Sequence, residues 1–324
     1  MKGAFVATSQ TGTTTSAPPA VPDQPGPRQR RGRRVRRMTP RDIALVAVFL
    51  GIPIFLDLAI IWGPTVASVV LSFTSWDGVG KIKWIGTENY HDIFTEYPVF
   101  WRAARNNVLW LAFLGLVATP LGLFFAVLLD KGMRFGRFYQ STLYLPVVLS
   151  LAVVGFIAQL VYSRDYGALN SVLSRTAHPT DWLGNPNLNV WAVLGAVGWR
   201  HAGYVMILYL AGLKSVDPAL KDAAAIDGAN EVQAFLRVIF PELRPINVIV
   251  LVITVIEALR AFDIVYAINR GRNGLELVSV LVTDNIVGEA SRIGFGSALA
   301  VILLVVSLGF IVTFLLQELR TERR

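Results

Sequence analysis

Residues 108–129 read VLWLAFLGLVATPLGLFFAVLL, twenty-two consecutive positions without one charged side chain. At about 1.5 Å per residue, a helix of that length reaches about 33 Å, enough to cross a hydrocarbon core of about 30 Å. Runs 141–163 and 294–316 are equally free of charge. Three more are as long and mostly apolar but carry polar cargo: 43–73 with Asp57, 189–213 with Arg200 and His201, and 246–268 with Glu257, Arg260 and Asp263. Lipid offers no water to bond a backbone N–H or C=O, and these runs far exceed the roughly 9–11 residues of a barrel strand. They predict an all-α membrane protein, a bundle of six transmembrane helices. The composition agrees, with 54% hydrophobic and only 16% charged residues, where a soluble protein averages about 25% charged.

Outside the runs, charge is unevenly placed. Residues 1–40 are rich in Thr, Ser, Pro and Gly and hold seven arginines between Arg28 and Arg37, with little apolar surface to bury. This composition predicts a disordered basic tail, followed by a transmembrane domain over 41–324. Beside a long apolar run, the arginines read as a topogenic signal touching anionic membrane lipid in preference to a nucleic-acid site, so no nucleic-acid partner is expected. The first run is about twice the usual length of a signal-peptide core, which speaks against cleavage. With both termini cytoplasmic, 19 of the 30 Lys and Arg fall on inner segments and 9 on outer loops, the bias of a multi-pass protein of the cell membrane. Trp76, Trp84, Tyr162, Trp182 and Trp191 then gather near the outer boundary, as interface anchors do.

Catalysis finds no support in the residues. There is no cysteine, and the histidines His91, His178 and His201 are too scattered for a metal motif. No HExxH or G-x-S-x-G occurs, and GVGK at 78–81 lacks the first glycine and the hydroxyl residue of a phosphate loop. No catalytic residue, metal or cofactor is expected on this chain.

The segment between the fourth and fifth runs, 214–245, is patterned far beyond what a loop needs. In DPALKDAAAIDGANEVQAFLRVIFP, Asp217 can cap a helix with Pro218 at its first position, and Gly228 offers a left-handed stop. Asn230 with Gln233 forms a capping-box pattern for a second helix, whose Val232, Phe235 and Ile239 share one face before Pro241 ends it. A short capped helix with an apolar face at the membrane surface is a docking device for another protein, or else an interfacial helix lying on lipid.

The same stretch, DAAAIDGANEVQAFLRVIFP, resembles the EAA loop of integral membrane subunits of bacterial binding-protein-dependent ABC importers. Asp222, Ala223, Ala224, Asp227, Gly228, Ala229, Ile239 and Pro241 stand at the positions of that pattern, with Asp222 in place of the usual Glu and Phe240 where Leu is common. The similarity runs over most of 45–320 and looks like the carbohydrate branch, the maltose and glycerol-phosphate type: LSFTSWDG, NYHDIF, FWRAARNNV, LPVVLS, DYGALNSVL and FDIVYAI follow in order. INRGRNG at 268–274 departs from the glycine-rich, proline-ending stretch often found there. The resemblance implies half of a sugar pathway, paired with a second permease subunit. It further implies two ATPase subunits that hold ATP and Mg and bind the 214–245 loop, with Phe235 in the contact, and an extracellular solute-binding protein. A glycerol-phosphate importer and an ion-coupled secondary transporter are the alternatives.

Charges within the membrane cost at least about 2.5–3.5 kcal/mol each, so Asp57, Arg200, Glu257, Arg260 and Asp263 should face protein or water. Arg200 and Glu257 lie at compatible depths. They either pair across two helices or line the pathway and bond sugar hydroxyls. Glu257, Arg260 and Asp263 recur every third residue and so share one side of a continuous helix. Trp199, Tyr204 and Tyr266 are candidates to stack on a sugar ring, against a packing role for most aromatics. Asp57 suits a partner on a neighbouring subunit, and His201 a satisfied interior histidine.

Overall fold

The computed structural model describes residues 39–173, 178–288 and 291–322, so the expectation of a disordered tail falls almost wholly outside the described residues. The chain divides into two units, Met1–Phe55 and Leu56–Arg324. Helix α1, Pro40–Asp57, fills the described part of the first unit, where Ile43, Phe49 and Phe55 are exposed as lipid-facing side chains would be.

In the second unit the order is α2 (Gly63–Leu71), α3 (Glu88–Thr95), α4 (Pro98–Phe113), α5 (Thr119–Asp130), α6 (Gly136–Val148), α7 (Leu151–Tyr162), α8 (Ala168–Val172) and α9 (Asn189–Ser215). Then come α10 (Pro218–Ile226), α11 (Glu231–Ala234), α12 (Phe240–Glu242), α13 (Arg244–Leu259), α14 (Asp263–Asn269), α15 (Val278–Ile286) and α16 (Ile293–Glu322). Among the described residues the only extended pairing is an isolated bridge between Thr74 and Trp84.

Four helical runs are long and apolar enough to cross a membrane: Ile43–Leu71, Pro98–Asp130, Asn189–Ser215 and Ile293–Phe314. The other two predicted spans are not single helices. The run 141–163 is α6 and α7, bent by 105° at Leu149 and Ser150, where Ser150 caps α7 by accepting from the Val153 N–H. The run 246–268 is broken between α13 and α14. Counting the bent pair as one span gives five crossings among the described residues, against the six expected.

Three π turns, Leu58–Trp62, Leu114–Ala118 and Phe235–Ile239, share one cause. Each stands two residues before a proline, Pro64, Pro120 or Pro241, and in each the residue ahead of that proline donates its N–H five residues back: Gly63 to Leu58, Thr119 to Leu114, Phe240 to Phe235. A proline ring would meet the carbonyl four residues earlier, and the widened turn moves that carbonyl aside. Helices therefore run through these prolines. The expectation that Pro241 ends the second loop helix is corrected on this ground: the helical path continues to Glu242.

Helix α9 is the centre of the bundle, its N-terminal half packed with α4 and α7 and its C-terminal half with α5 and α6. Apolar attraction between helices is weak in lipid, so close approach through small residues has to supply the packing. Gly122 of α5 lies where an added Cβ would be 2.7 Å from the Ala202 carbonyl oxygen, and at Gly203 it would be 2.2 Å from that of Leu143. Three helices thus touch backbone to backbone at the level of Arg200 and His201.

Candidate functional site

Glu257 sits in the last full turn of α13, facing α9. Its Oε1 accepts from Arg200 Nη1 at 2.9 Å, and its Oε2 lies 2.6 Å from His201 Nδ1. The far ring nitrogen, Nε2, is 3.1 Å from the Thr254 hydroxyl and 3.2 Å from that of Thr119. Thr254 spends its own proton on the Val250 carbonyl at 2.7 Å. His201 therefore satisfies the network with a proton on Nδ1 toward the carboxylate and Nε2 facing the two threonine hydroxyls. His201 is fully buried. Arg200 and Glu257 do form the interhelical pair, and the same two residues also line a cavity.

That cavity, about 250 Å³, is lined by Arg200, Glu257, Arg260, Phe262 and Asp263, with Trp110 of α4 behind them. The three-residue step of Glu257, Arg260 and Asp263 does not lie on one continuous helix, as expected from spacing. The α13 ladder closes with Arg260 N–H to Ile256 O at 2.9 Å, and α14 begins at Asp263. The break is held from outside: the Ser279 hydroxyl donates to the Ala261 carbonyl, and the Asn107 amide donates to Ala258 O while accepting from the Val278 N–H. These contacts, at 151 and more residues' separation for Asn107, leave no local signal in the sequence. The break brings Arg260 and Asp263 to the cavity wall from an irregular segment.

The aromatic candidates separate. Tyr266 stacks on the cavity-lining Phe262, ring centroids 4.9 Å apart, and is itself outside the lining. Trp199 is half-exposed and lines a different cleft with Phe113 and Val117, and half-buried Tyr204 is outside the lining of the charged cavity. Asp57 lies at the end of α1 with its side chain exposed.

The second region is the 214–245 loop. Asp217 accepts from the Ala219 N–H at 2.9 Å and starts α10. Its end is a Schellman turn: Ala229 N–H reaches back to Ala224 O and Gly228 N–H to Ala225 O, with Gly228 at φ +79°. Asn230 and Gln233 complete a reciprocal capping box at 2.9 and 3.0 Å. Asp222, Ala223, Asp227, Gly228 and Pro241 are exposed, Ala229 is half-buried and Ala224 buried. Ile239 is buried and Phe235 packs on the inner core of α5 and α9, so these two hold the loop to its own bundle. The large apolar side chains most exposed on the loop are Ile226, Val232 and Leu236, by 86, 67 and 57%.

A family of known proteins matches residues 118–321, the binding-protein-dependent transport system inner membrane component. This chain belongs to that family. The matched segment contains both the loop and the polar cluster. The permease is 33% identical over 291 residues to a xylose/arabinose import permease protein of Haloferax volcanii, covering 87% of this chain and 90% of that protein. It is 30% identical over 275 residues to a sulfoquinovosyl glycerol transport system permease protein of Agrobacterium fabrum, covering 82% and 87%. Among solved structures, the permease matches a bacterial ABC transporter involved in the import of the acidic polysaccharide alginate, with a TM-score of 0.75 at 23% identity over 86% of this chain and 96% of that one. That likeness is one of fold. The family is a transport family of the inner membrane, and it removes support from the ion-coupled alternative.

Two pairs of charges in the permease escaped the sequence reading. Lys221 Nζ bonds Asp130 Oδ2 at 3.0 Å, and Lys131 Nζ bonds Glu231 Oε2 at 2.5 Å, across about 90 to 100 residues of chain. The Lys131 ammonium holds the Glu231 carboxyl below its usual range. A carboxyl depressed by folding stabilises the structure above its unfolded pKa and loses that effect as pH falls through the folded one. The pair is thus expected intact at neutral pH. Lowering the pH into the ordinary glutamate range is expected to leave the loop attached, as followed by hydrogen exchange at the α11 amides.

Proposed function

We propose that this permease forms half of the translocation pathway of an ATP-driven importer for a sugar or oligosaccharide, with a second permease subunit forming the other half. An extracellular solute-binding protein delivers the sugar. Two ATPase subunits carry ATP and Mg and engage the 214–245 loop from the cytoplasm, where both termini also lie. The names of the relatives, import permeases for xylose and arabinose or for arabinooligosaccharides, support the cargo class. These names do not favour the glycerol-phosphate alternative.

The observation that carries the coupling role is the exposed apolar patch of Ile226, Val232 and Leu236, on α10, on α11 and on the π turn that continues α11, with both helix starts capped by side chains. Exposed large side chains on a rigid, preorganised support fit a protein partner. The test is Gly228→Val. At φ +79° a β-branched residue is strained, although an added Cβ meets nothing within 4 Å. The variant is expected to reach the membrane in normal amount but to lose co-purification of the ATPase, and normal co-purification would remove the docking role.

In the cavity, Arg200, Arg260, Glu257 and Asp263 offer both donors and acceptors, which suits hydroxyls. Tyr266, stacked on the cavity-lining Phe262, is the aromatic candidate nearest to them through that contact, with Trp199 and Tyr204 as the others. Arg260 has greater exposure than the paired Arg200. Arg260→Ala is expected to lower uptake of labelled sugar in proteoliposomes about tenfold, the equivalent of one hydrogen bond to a charged group. Assembly should be unchanged, and unaltered uptake would take Arg260 out of the pathway.

A further inference from the structure

Helix α5 is tied at both ends to the two regions just described, and no role has been assigned to it. At its first residue, the Thr119 hydroxyl meets His201 Nε2 at 3.2 Å, and His201 in turn holds the Glu257 carboxylate that lines the cavity. At its last residue, the Asp130 carboxylate meets Lys221 of α10 at 3.0 Å. Eleven residues of α-helix separate the two, about 16 Å. Between them Gly122 seats α5 directly on the α9 backbone. Above Thr119 stands the π turn Leu114–Ala118, the place where the long α4–α5 helix is least regular.

The position of Asp130 is the informative part. A carboxylate at a helix C-terminus faces the negative end of the helix dipole, an unfavourable place. Lys221, on the first helix of the loop, offsets it. The neighbouring Lys131–Glu231 pair ties the second loop helix to the same end of α5, but with side chains exposed by 55 and 83% it adds little alone. The Asp130–Lys221 pair is the better shielded, at 20 and 39%.

We propose that α5 is a second transmission arm. Movement of the loop reaches the cavity through the Asp130–Lys221 pair, the rigid length of α5 and the Thr119–His201–Glu257 contact, in addition to the covalent links through α9 and α13. Asp130, Lys221 and Thr119 are positioning residues, which touch neither sugar nor nucleotide. The proposal rests on the ATPase-docking reading of the loop.

The test uses the complete importer in proteoliposomes, with wild-type partners, comparing Asp130→Lys, Lys221→Asp, the double exchange, the milder Asp130→Asn and Thr119→Val. The ATPase is expected to co-purify at the wild-type level in all of them, and hydrolysis without binding protein to stay unchanged. Stimulation of hydrolysis by sugar-loaded binding protein is expected to fall about tenfold in each single charge reversal and in Thr119→Val. The double exchange should recover most of it. Single reversals that retain full stimulation, or a double exchange that recovers nothing, would overturn the proposal. So would loss of ATPase from the single reversals, which would place the pair in docking and not in transmission. Failure of the docking reading is seen separately, as a wild-type particle whose Gly228→Val counterpart keeps its ATPase. Should a reversal fail to fold, Asp130→Asn and Thr119→Val, each close in size to the original side chain, carry the same readout.

Discussion

Glu257→Leu is expected to destabilise the permease by about 3–5 kcal/mol, the cost of removing one partner from a buried ionic cluster. Glu257 closes two hydrogen bonds: it takes one guanidinium proton from Arg200 and one ring proton from His201, and it alone answers both. Leucine fills much of the same space but leaves Arg200, only 18% exposed, without a counter-charge in the middle of the bundle. The Arg200 Nε already has no partner there. The measurement is the midpoint of thermal aggregation in detergent, together with the yield of monodisperse protein. A variant as stable as wild type would mean that Arg200 finds water or lipid headgroup at no cost.

The cluster also refines what charge exchange can do. Reversing both Arg200 and Glu257 is expected to restore more assembly than either reversal alone. Restoration stays incomplete, because a guanidinium at position 257 would face the Nδ1–H of His201, a donor against a donor. Adding His201→Gln to the exchange should raise the yield further. Strictly additive losses would show that the residues act independently.

Gly203→Val is the second large effect. An added Cβ at Gly203 would lie 2.2 Å from the Leu143 carbonyl oxygen and 3.3 Å from Val147 Cγ2. The first neighbour is backbone and cannot rotate away, so α6 and α9 must separate along their whole contact. Overpacking of this kind costs about 1–3 kcal/mol where the surroundings can adjust, and more where they cannot. The expected result is a marked loss of folded protein, with Gly115→Ala as the control, since a Cβ there meets nothing within 4 Å. Equal stability of the two variants would show that the approach of α6 to α9 is looser than drawn.

Much of the loop was legible because its signals are local. Capping by Asp217, the stop at Gly228 and the Asn230–Gln233 box each need only residues within five positions, and all three formed. Which side of the loop is exposed was less legible. Phe235 and Ile239 carry the right spacing for an exposed stripe, but spacing defines a face without saying which way it turns. Packing against the C-terminal ends of α5 and α9 buried that face and left Val232, Leu236 and Ile226 exposed.

The amino-acid sequence by itself determined that the chain is helical and crosses a membrane, and that the 214–245 segment is two short capped helices. Hydrophobic length and backbone capping are properties of a chain segment in its solvent, independent of the rest of the fold. Tertiary structure alone decided that 246–268 breaks at the cavity, that Thr119, His201 and Thr254 join Arg200 and Glu257 in one network, and that α5 reaches the loop through Asp130. Each of these depends on side chains brought together from more than 50 residues apart, and the pairing is fixed by which helices can approach through Gly122 and Gly203, a matter of shape that no periodicity encodes.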